Sequence, residues 1–422
     1  MRTGLSVVEA QETVLAATPV LGAETVAVRE ALGRVLCEAV LSGRVLPPAD
    51  CSAMDGYAVR RSDCLAASRD APTELAVRFE VAAGHAPERA VGSGEAARIF
   101  TGAPLPPGAD AVVRQEDTEA DGRGERVRIQ VVPEKREHVR NAGEDLQVGD
   151  RVLERGDAIR PAQVGVLASL GRAVVSVHQR PRVAILSGGD ELVEPDGDVA
   201  GGGIVSSNSY SLAAQCLEVG AEPVYLGIAR DRPEDLERIL RSALGADCIV
   251  SSAGVSVGDH DHVRPVLEKL GCELVFWGVH MKPGFPLTFG RFGERGPLVF
   301  GLPGNPVSAM VTFEQFVRPA LLRMTGHRAL FRPTVRARVR GRLEKKAGRL
   351  HFVRVHLERS AGPDGEIWAE STGNQSSGVL RSMTLARGLL VFPAEATRIA
   401  DGEPATVQVL DESFFAGETP GF

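Results

Sequence analysis

Five short loops rich in glycine, proline and acidic residues fall within residues 182–310. They are Ser187-Gly188-Gly189-Asp190-Glu191-Leu192, Ala229-Arg230-Asp231, the run from Ser252 to Asp261, Met281-Lys282-Pro283-Gly284, and Gly301-Leu302-Pro303-Gly304-Asn305-Pro306. Carboxylates at Glu191, Asp231 and Asp261 gathered at one place would repel one another unless a proton or a cation came between them. A divalent cation is the simplest resolution, and hard oxygen ligands suit Mg²⁺, which shares its sphere between carboxylates and substrate phosphates. Gly188, Gly189, Gly254 and Gly258 let backbone N–H groups approach an anion closely, above all beside a helix start. Lys282 and Arg230 are the cations of these loops, and Lys282 is a credible partner for that anion.

Each feature also has a plainer reading. Asp231 could simply cap a helix and Glu191 could be a solvated loop acid. Glycine-rich turns are usually only turns, and no Walker lysine motif accompanies these. His260 and His262 alternate with Asp259 and Asp261, but His262 sits at a helix start and no third imidazole motif joins them, so a transition-metal centre is not favoured. No Gly-x-Ser-x-Gly elbow is present, and covalent catalysis is not indicated.

What raises the functional reading is the set of elements that would carry the loops. Val183–Leu186, Pro223–Ile228, Asp247–Ser251 and Glu273–Val279 read as buried strands. Helical stretches lie at Ser207–Leu217, Pro233–Leu244, Val263–Leu270 and Pro306–Met324. Ser207 or Asn208 is expected to cap the first of them. Pro286–Phe292 and Pro297–Phe300 flank Gly293-Glu294-Arg295-Gly296 and predict a hairpin. In a parallel sheet with right-handed crossovers, the loops leaving the strand C-termini open on one edge, where ligands bind. The five clusters are therefore expected to form one site.

The fold class expected is a multidomain α/β protein. A central three-layer α/β domain spans 180–328. A β-rich inserted domain covers 46–140, with alternation over 76–81 and 126–132 and a polar turn at 121–124. Residues 1–45 with 141–179 form a helical and linker piece, helical over 5–17 and 27–40, with Pro161 opening a helix that Gly171 stops. Residues 329–422 read as a C-terminal all-β domain.

Composition fits a globular chain: 422 residues, 43% apolar and 24% charged, with a formal net charge of −7. That balance, with no long Lys/Arg run, argues against a nucleic-acid partner. No apolar run reaches membrane-spanning length and no secretory leader is evident, so the expected location is cytoplasmic. Six scattered cysteines without a Cys-x-x-Cys pair predict buried, reduced thiols.

Taken in order, the motifs resemble the molybdopterin molybdenumtransferases, the family that includes the gephyrin E domain. The residues that carry the resemblance are Ser52-Ala53-Met54-Asp55-Gly56-Tyr57-Ala58, Thr101-Gly102-Ala103-Pro104, Gly143-Glu144-Asp145, Gly189-Asp190-Glu191-Leu192, Gly254-Val255-Ser256-Val257-Gly258, Lys282-Pro283-Gly284 and Leu302-Pro303-Gly304-Asn305-Pro306. The resemblance implies insertion of molybdate into adenylylated molybdopterin with release of AMP. It implies catalytic roles for Asp55, Thr101, Asp145, Glu191, Asp231 and Asp261, with Glu191, Asp231 and Asp261 as metal ligands for Mg²⁺. Substrate is expected at Gly188, Gly189, Ser252, Gly254, Ser256, Gly258, Lys282, Pro303, Gly304, Asn305, Pro306 and Ser308, where the resemblance has Pro303 and Pro306 shape the loop. The resemblance also implies an elongated homodimer whose site lies between subunits, and it brings in the molybdopterin adenylyltransferase and cofactor-accepting enzymes as partners to test.

Two departures stand out. The family's Ser-Gly-Gly reads Ser252-Ala253-Gly254 here, and its Lys-Pro-Gly-Lys-Pro reads Lys282-Pro283-Gly284-Phe285-Pro286, so an oxyanion site weakened by one charge is expected, the alternative being that Phe285 packs against a neighbouring domain while another arginine, such as Arg354, supplies the charge. Two other functions compete. One is a non-catalytic pterin-binding or scaffold protein, favoured by the lost lysine and opposed by the retained acids. The other is the adenylylation step, opposed by the extra domains. AMP release in the presence of molybdate and Mg²⁺ discriminates them.

Overall fold

The computed structural model describes residues 1–252, 263–360 and 365–416. These divide into two units. Met1–Glu38, Gly156–Val164 and the described residues from Val174 onward form the first, and Ala39–Arg155 with Gly165–Ala173 form the second.

The first unit is built on a seven-stranded sheet. Its strands are β1 (Arg2–Leu5), β2 (Arg182–Gly188), β3 (Glu222–Ala229), β4 (Cys248–Ser252), β5 (Glu273–Val279), β6 (Thr288–Arg291) and β7 (Leu298–Leu302), in the spatial order β1-β5-β6-β7-β4-β2-β3. Only β6 runs against the others, because it returns in a hairpin between β5 and β7. Side chains alternate between the faces as a strand period of two requires. Val183 and Ile185 join one buried cluster with Val250 and Phe300, whereas Ala184 and Leu186 join the opposite one with Ile249 and Val299. The first face is covered by α1 (Val7–Ala17), α2 (Ser207–Glu218) and the helix starting with α5 (Pro306–Thr312). The second face is covered by α3 (Pro233–Ala243) and α4 (Val263–Lys269). The expected three-layer domain and its hairpin are thus present.

Local chemistry explains the helix ends. Ser6 and Glu9 form a reciprocal capping box at the start of α1. After α5 the helix widens into a π turn over Phe313–Val317 and continues as Arg318–Met324, where Pro319 has no N–H to donate.

The C-terminal part is a closed five-stranded barrel: β8 (Thr334–Arg340), β9 (Leu350–Arg359), β10 (Ile367–Ser371), β11 (Gly388–Phe392) and β12 (Pro404–Val409). It closes because β9 pairs with both β10 and β11, while β8 and β12 complete the ring. The two-residue strand Met281–Lys282 adds to the barrel in parallel with Leu350–His351. The backbone N–H of Leu350 also donates to the His280 carbonyl at 3.0 Å.

The helix expected over 27–40 does not form. Ala23–Ala27 is a strand antiparallel to Val174–His178, and only a 3-10 turn follows at Val28–Glu30. Gly33 adopts φ +76°, and Val35 and Leu36 are buried through isolated bridges to Ala158 and Val177, so apolar spacing there reflects extended packing.

The second unit holds a six-stranded sheet in the order Ala111–Arg114, Gly56–Val59, Glu95–Ile99, Thr73–Val81, Arg126–Ile129, Thr118–Ala120. The expected polar turn at 121–124 joins its last two strands. Among the described residues, no helix is long and apolar enough to cross a membrane. The six cysteines are free thiols, five of them buried.

Candidate functional site

The C-terminal ends of β2, β3, β4 and β7 lie in register on one edge, so Gly188, Ala229, Ser252 and Leu302 deliver their loops to the same place. A cavity of about 330 Å³ opens there, lined by Gly188, Glu191, Asn208, Ser252, Gly304 and Pro306, among others. Its floor is a hydroxyl network. Ser187 Oγ lies 2.6 Å from Ser209 Oγ and 2.9 Å from Ser252 Oγ. Asn208 donates its side-chain N–H to the Gly304 carbonyl at 2.8 Å, tying α2 to the Pro303–Pro306 loop. The helix itself starts at Ser207 behind Ser206, so neither Ser207 nor Asn208 is its cap.

The acids of this edge are exposed. Glu191 folds back over Gly189, whose φ of +145° is a glycine conformation and where any added Cβ would lie 2.6 Å from the Glu191 carboxylate. The cap position of α3 belongs to Arg232, without a side-chain bond, so Asp231 is not spent as a cap. Its backbone N–H instead donates to Asp190 Oδ1 at 3.2 Å, and Arg230 donates to the Asp190 carbonyl at 2.9 Å. Asp190 thereby orients the loop that carries Asp231. Asp261, Gly254, Ser256 and Gly258 lie outside the described residues. Among those described, no group of three or more His, Cys, Asp or Glu side chains is arranged to hold a metal ion. Glu191 and Asp231 are nevertheless hard oxygen donors on the ligand edge, a chemistry that fits Mg²⁺.

Pro303 and Ser308 are buried beside this edge, and Asn305 occupies the cap position of α5 without a side-chain bond. The Val307 N–H donates to the Ser377 carbonyl at 3.1 Å, and Gly378 lines the cavity, so the barrel's 376–378 segment reaches the sheet edge.

A second cavity, of about 580 Å³, forms where Met281–Lys282 joins the barrel. Lys282, Lys345, Lys346, Arg349 and Arg354 line it together with Glu344, which is ion-paired with Arg342. Lys345 donates to the carbonyls of Arg349 and Ala394 at 3.1 and 3.0 Å and rests over the Phe392 ring. His351 is held down to about 4 by burial first, then by the charges of Lys282, Lys345 and Arg349. Arg354 is 1% exposed; its Nη2 donates to the carbonyls of Asn374 and Ser376, and its Nε has no partner among the described residues. Burial lowers its pKa. A buried cation with an unsatisfied N–H beside a cation-lined cavity is a site that an anion would complete. Of these residues Lys282 belonged to the expected site and Arg354 was the alternative source of its charge; for the others the basic alternation Lys345-Lys346 and Arg349-Leu350-His351 was the available signal.

In the second unit, Asp55 and Thr101 come together. Thr101 donates its backbone N–H and its hydroxyl to Asp55 Oδ1 at 2.7 and 2.8 Å. These bonds, the backbone one first, hold the Asp55 carboxyl below the usual carboxylate range. Ser52 fixes the preceding turn by donating to the Met54 carbonyl at 2.5 Å. Asp145 is exposed on a loop anchored by its own N–H to the Leu46 carbonyl and by that of Gly143 to Pro47.

Comparison with known proteins agrees with this architecture. Residues 5–171 match the MoeA N-terminal region (domain I and II), residues 184–323 match a probable molybdopterin binding domain, and residues 336–410 match the MoeA C-terminal region (domain IV). The molybdopterin molybdenumtransferase of Nostoc sp. is 39% identical over 381 residues, covering 89% of this chain and 86% of that protein. The Haemophilus influenzae protein of the same name is 35% identical, covering 90% and 92%. The crystal structure of the molybdopterin biosynthesis MoeA protein from Pyrococcus horikoshii OT3 superposes with a TM-score of 0.80 at 30% identity, covering 96% of this chain and all of that one. The chain therefore belongs to the molybdopterin molybdenumtransferase family, and with it to the transferases of molybdenum cofactor biosynthesis.

Proposed function

We propose that the serine-floored cavity at the sheet edge receives adenylylated molybdopterin, that the cation-lined cavity holds molybdate, and that insertion of the metal into the dithiolene is accompanied by release of AMP. The observation that carries this reading is the parallel pairing of Met281–Lys282 with Leu350–His351, which makes the loop leaving β5 a wall of the basic cavity.

The work assigned to the protein is positioning and charge neutralisation. The loops at Gly188–Gly189 and Gly304 bring backbone close to the substrate, and Ser187, Ser209 and Ser252 supply hydroxyls beneath it. Lys282 and Arg354 bind the oxyanion, while the neutral His351 adds no charge. Glu191 and Asp231, with Asp261 as a third acid, would hold Mg²⁺, which when bound supplies positive charge against the substrate phosphates. Asp55, Thr101 and Asp145 are assigned to the same reaction through a homodimer, and the location is cytoplasmic. No protein nucleophile is required.

Titrating molybdate into the insertion reaction tests the assignment. Lys282→Met and Arg354→Met should each raise the half-saturating molybdate concentration about tenfold. Native half-saturation in both variants would remove the cation-lined cavity from the reaction.

A further inference from the structure

The resemblance places a second lysine at position 285, and this chain has phenylalanine there. The ring is half-buried and fixed from several sides. It meets Trp277 edge-on with centroids 5.5 Å apart, lies 6.0 Å from the His280 ring, and sits where a Cβ on Gly278 would be 3.3 Å away. On its open face lies the Arg349 guanidinium, 4.5 Å from the ring centroid. Arg349 is one residue before the barrel strand that pairs with Met281–Lys282, and its carbonyl accepts from Lys345, so its backbone is pinned as well. Arg349 lines the same cavity as Lys282 and Arg354. Among the described residues no acceptor takes its guanidinium N–H groups.

A lysine at 285 would bring a compact point charge. A guanidinium stacked on an aromatic face keeps its charge and leaves its planar fork of donors free for two oxygens of one anion. Stacking also restricts the long side chain before any ligand arrives, so less freedom is lost on binding.

We propose that Arg349, seated on Phe285, joins Lys282 and Arg354 as a cation of the oxyanion site in this chain, replacing the missing lysine with a bidentate donor, and that Phe285 is its positioning residue. The inference rests on the reading of this cavity as the molybdate site. Phe285→Lys consequently brings no gain in molybdate affinity, because the new ammonium would face the guanidinium already there.

The test is a molybdate titration of the full-length protein, read both by direct calorimetric binding of molybdate and by half-saturation of the insertion reaction. Arg349→Met should weaken binding about tenfold, and Arg349→Lys by a smaller factor, since charge survives but the fork does not. Phe285→Leu should raise half-saturation several-fold with the maximal rate retained. Phe285→Tyr, which keeps the ring face, should restore it. In the Arg349→Met background, Phe285→Leu should add nothing further. Native binding in Arg349→Met, with Lys282→Met or Arg354→Met impaired, overturns the role of Arg349 and leaves the cavity assignment standing. Native binding in all of these variants overturns both. Thermal melts matching the native protein exclude loss of folding as the cause.

Discussion

Lys282 and His351 stand side by side in parallel register, one on the loop that leaves the sheet edge and the other on the barrel. A neutral imidazole is thereby enclosed among cations. The same pairing ties the loop after β5 to the barrel at the basic cavity, so it bears on both stability and function.

The stability consequence has a definite sign. His351 is held down to about 4 in the folded chain against an ordinary value of 6.5. Between those limits the unfolded chain binds the extra proton, so this residue's contribution is fully present above pH 6.5 and is lost as the pH falls towards 4. Urea unfolding should show stability falling across that window, and His351→Gln should flatten the slope. An imidazole resonance titrating near 6.5 in the folded protein would contradict the account.

Asp55 should depend on Thr101. Thr101→Val keeps the backbone donor and removes the hydroxyl, so the carboxyl moves back towards its ordinary range and its orientation is loosened. AMP release should slow on the order of tenfold with the melting temperature nearly unchanged. A native rate would remove the pair from the reaction.

Glu191→Gln and Asp231→Asn should each shift Mg²⁺-dependent AMP release to higher Mg²⁺ while the fold persists, because both carboxylates are exposed and neither caps a helix. Superimposable Mg²⁺ titrations of both variants and the native protein would contradict this assignment.

Away from the site, Glu314 in the π turn pairs with Arg332 at 3.0 Å, with side chains 4% and 8% exposed, and Arg332 also reaches Glu218 at 2.6 Å. Arg318 lies nearby with its pKa lowered by burial. Glu314→Ala removes the buried partner of Arg332 and Arg318, leaving Arg332 only the half-exposed Glu218, and should cost about 3–5 kcal/mol in urea unfolding. A loss below about 1 kcal/mol would mean that solvent already screens the cluster.

Much of the α/β edge was legible because parallel strands buried on both faces leave continuous apolar runs, and the loops between them are punctuated by glycine and proline. Asp247–Ser251 is read from sequence within one residue of the observed Cys248–Ser252, and Val183–Leu186 marks the centre of the longer strand Arg182–Gly188. The hairpin between β6 and β7 follows from the turn residues at 293–296. Some strands escaped, and two of them show why. Arg2–Leu5 is four residues long, contains Gly4 at φ +64°, and is extended only because β5 offers it an edge. Ala23–Ala27 owes its conformation to Val174–His178, a partner too distant for local periodicity to reveal. The basic cavity showed in sequence only as a basic alternation over 345–351, for the same reason. Lys345, Arg349 and Arg354 follow no motif, and what gathers them against Lys282 is a pairing of two-residue stretches between separate folding layers. Phe285 could be recognised in sequence as a departure, but its Arg349 partner could not.

The central claim is that this chain turns over adenylylated molybdopterin rather than merely holding it. The most direct measurement incubates the purified full-length protein with adenylylated molybdopterin and Mg²⁺, with and without molybdate, and counts both the AMP released and the molybdenum retained on the pterin. The account predicts that AMP and pterin-bound molybdenum appear one for one and only when molybdate is present. Adenylylated molybdopterin that stays bound and intact with molybdate in excess would contradict it, and would make the chain a pterin-binding scaffold.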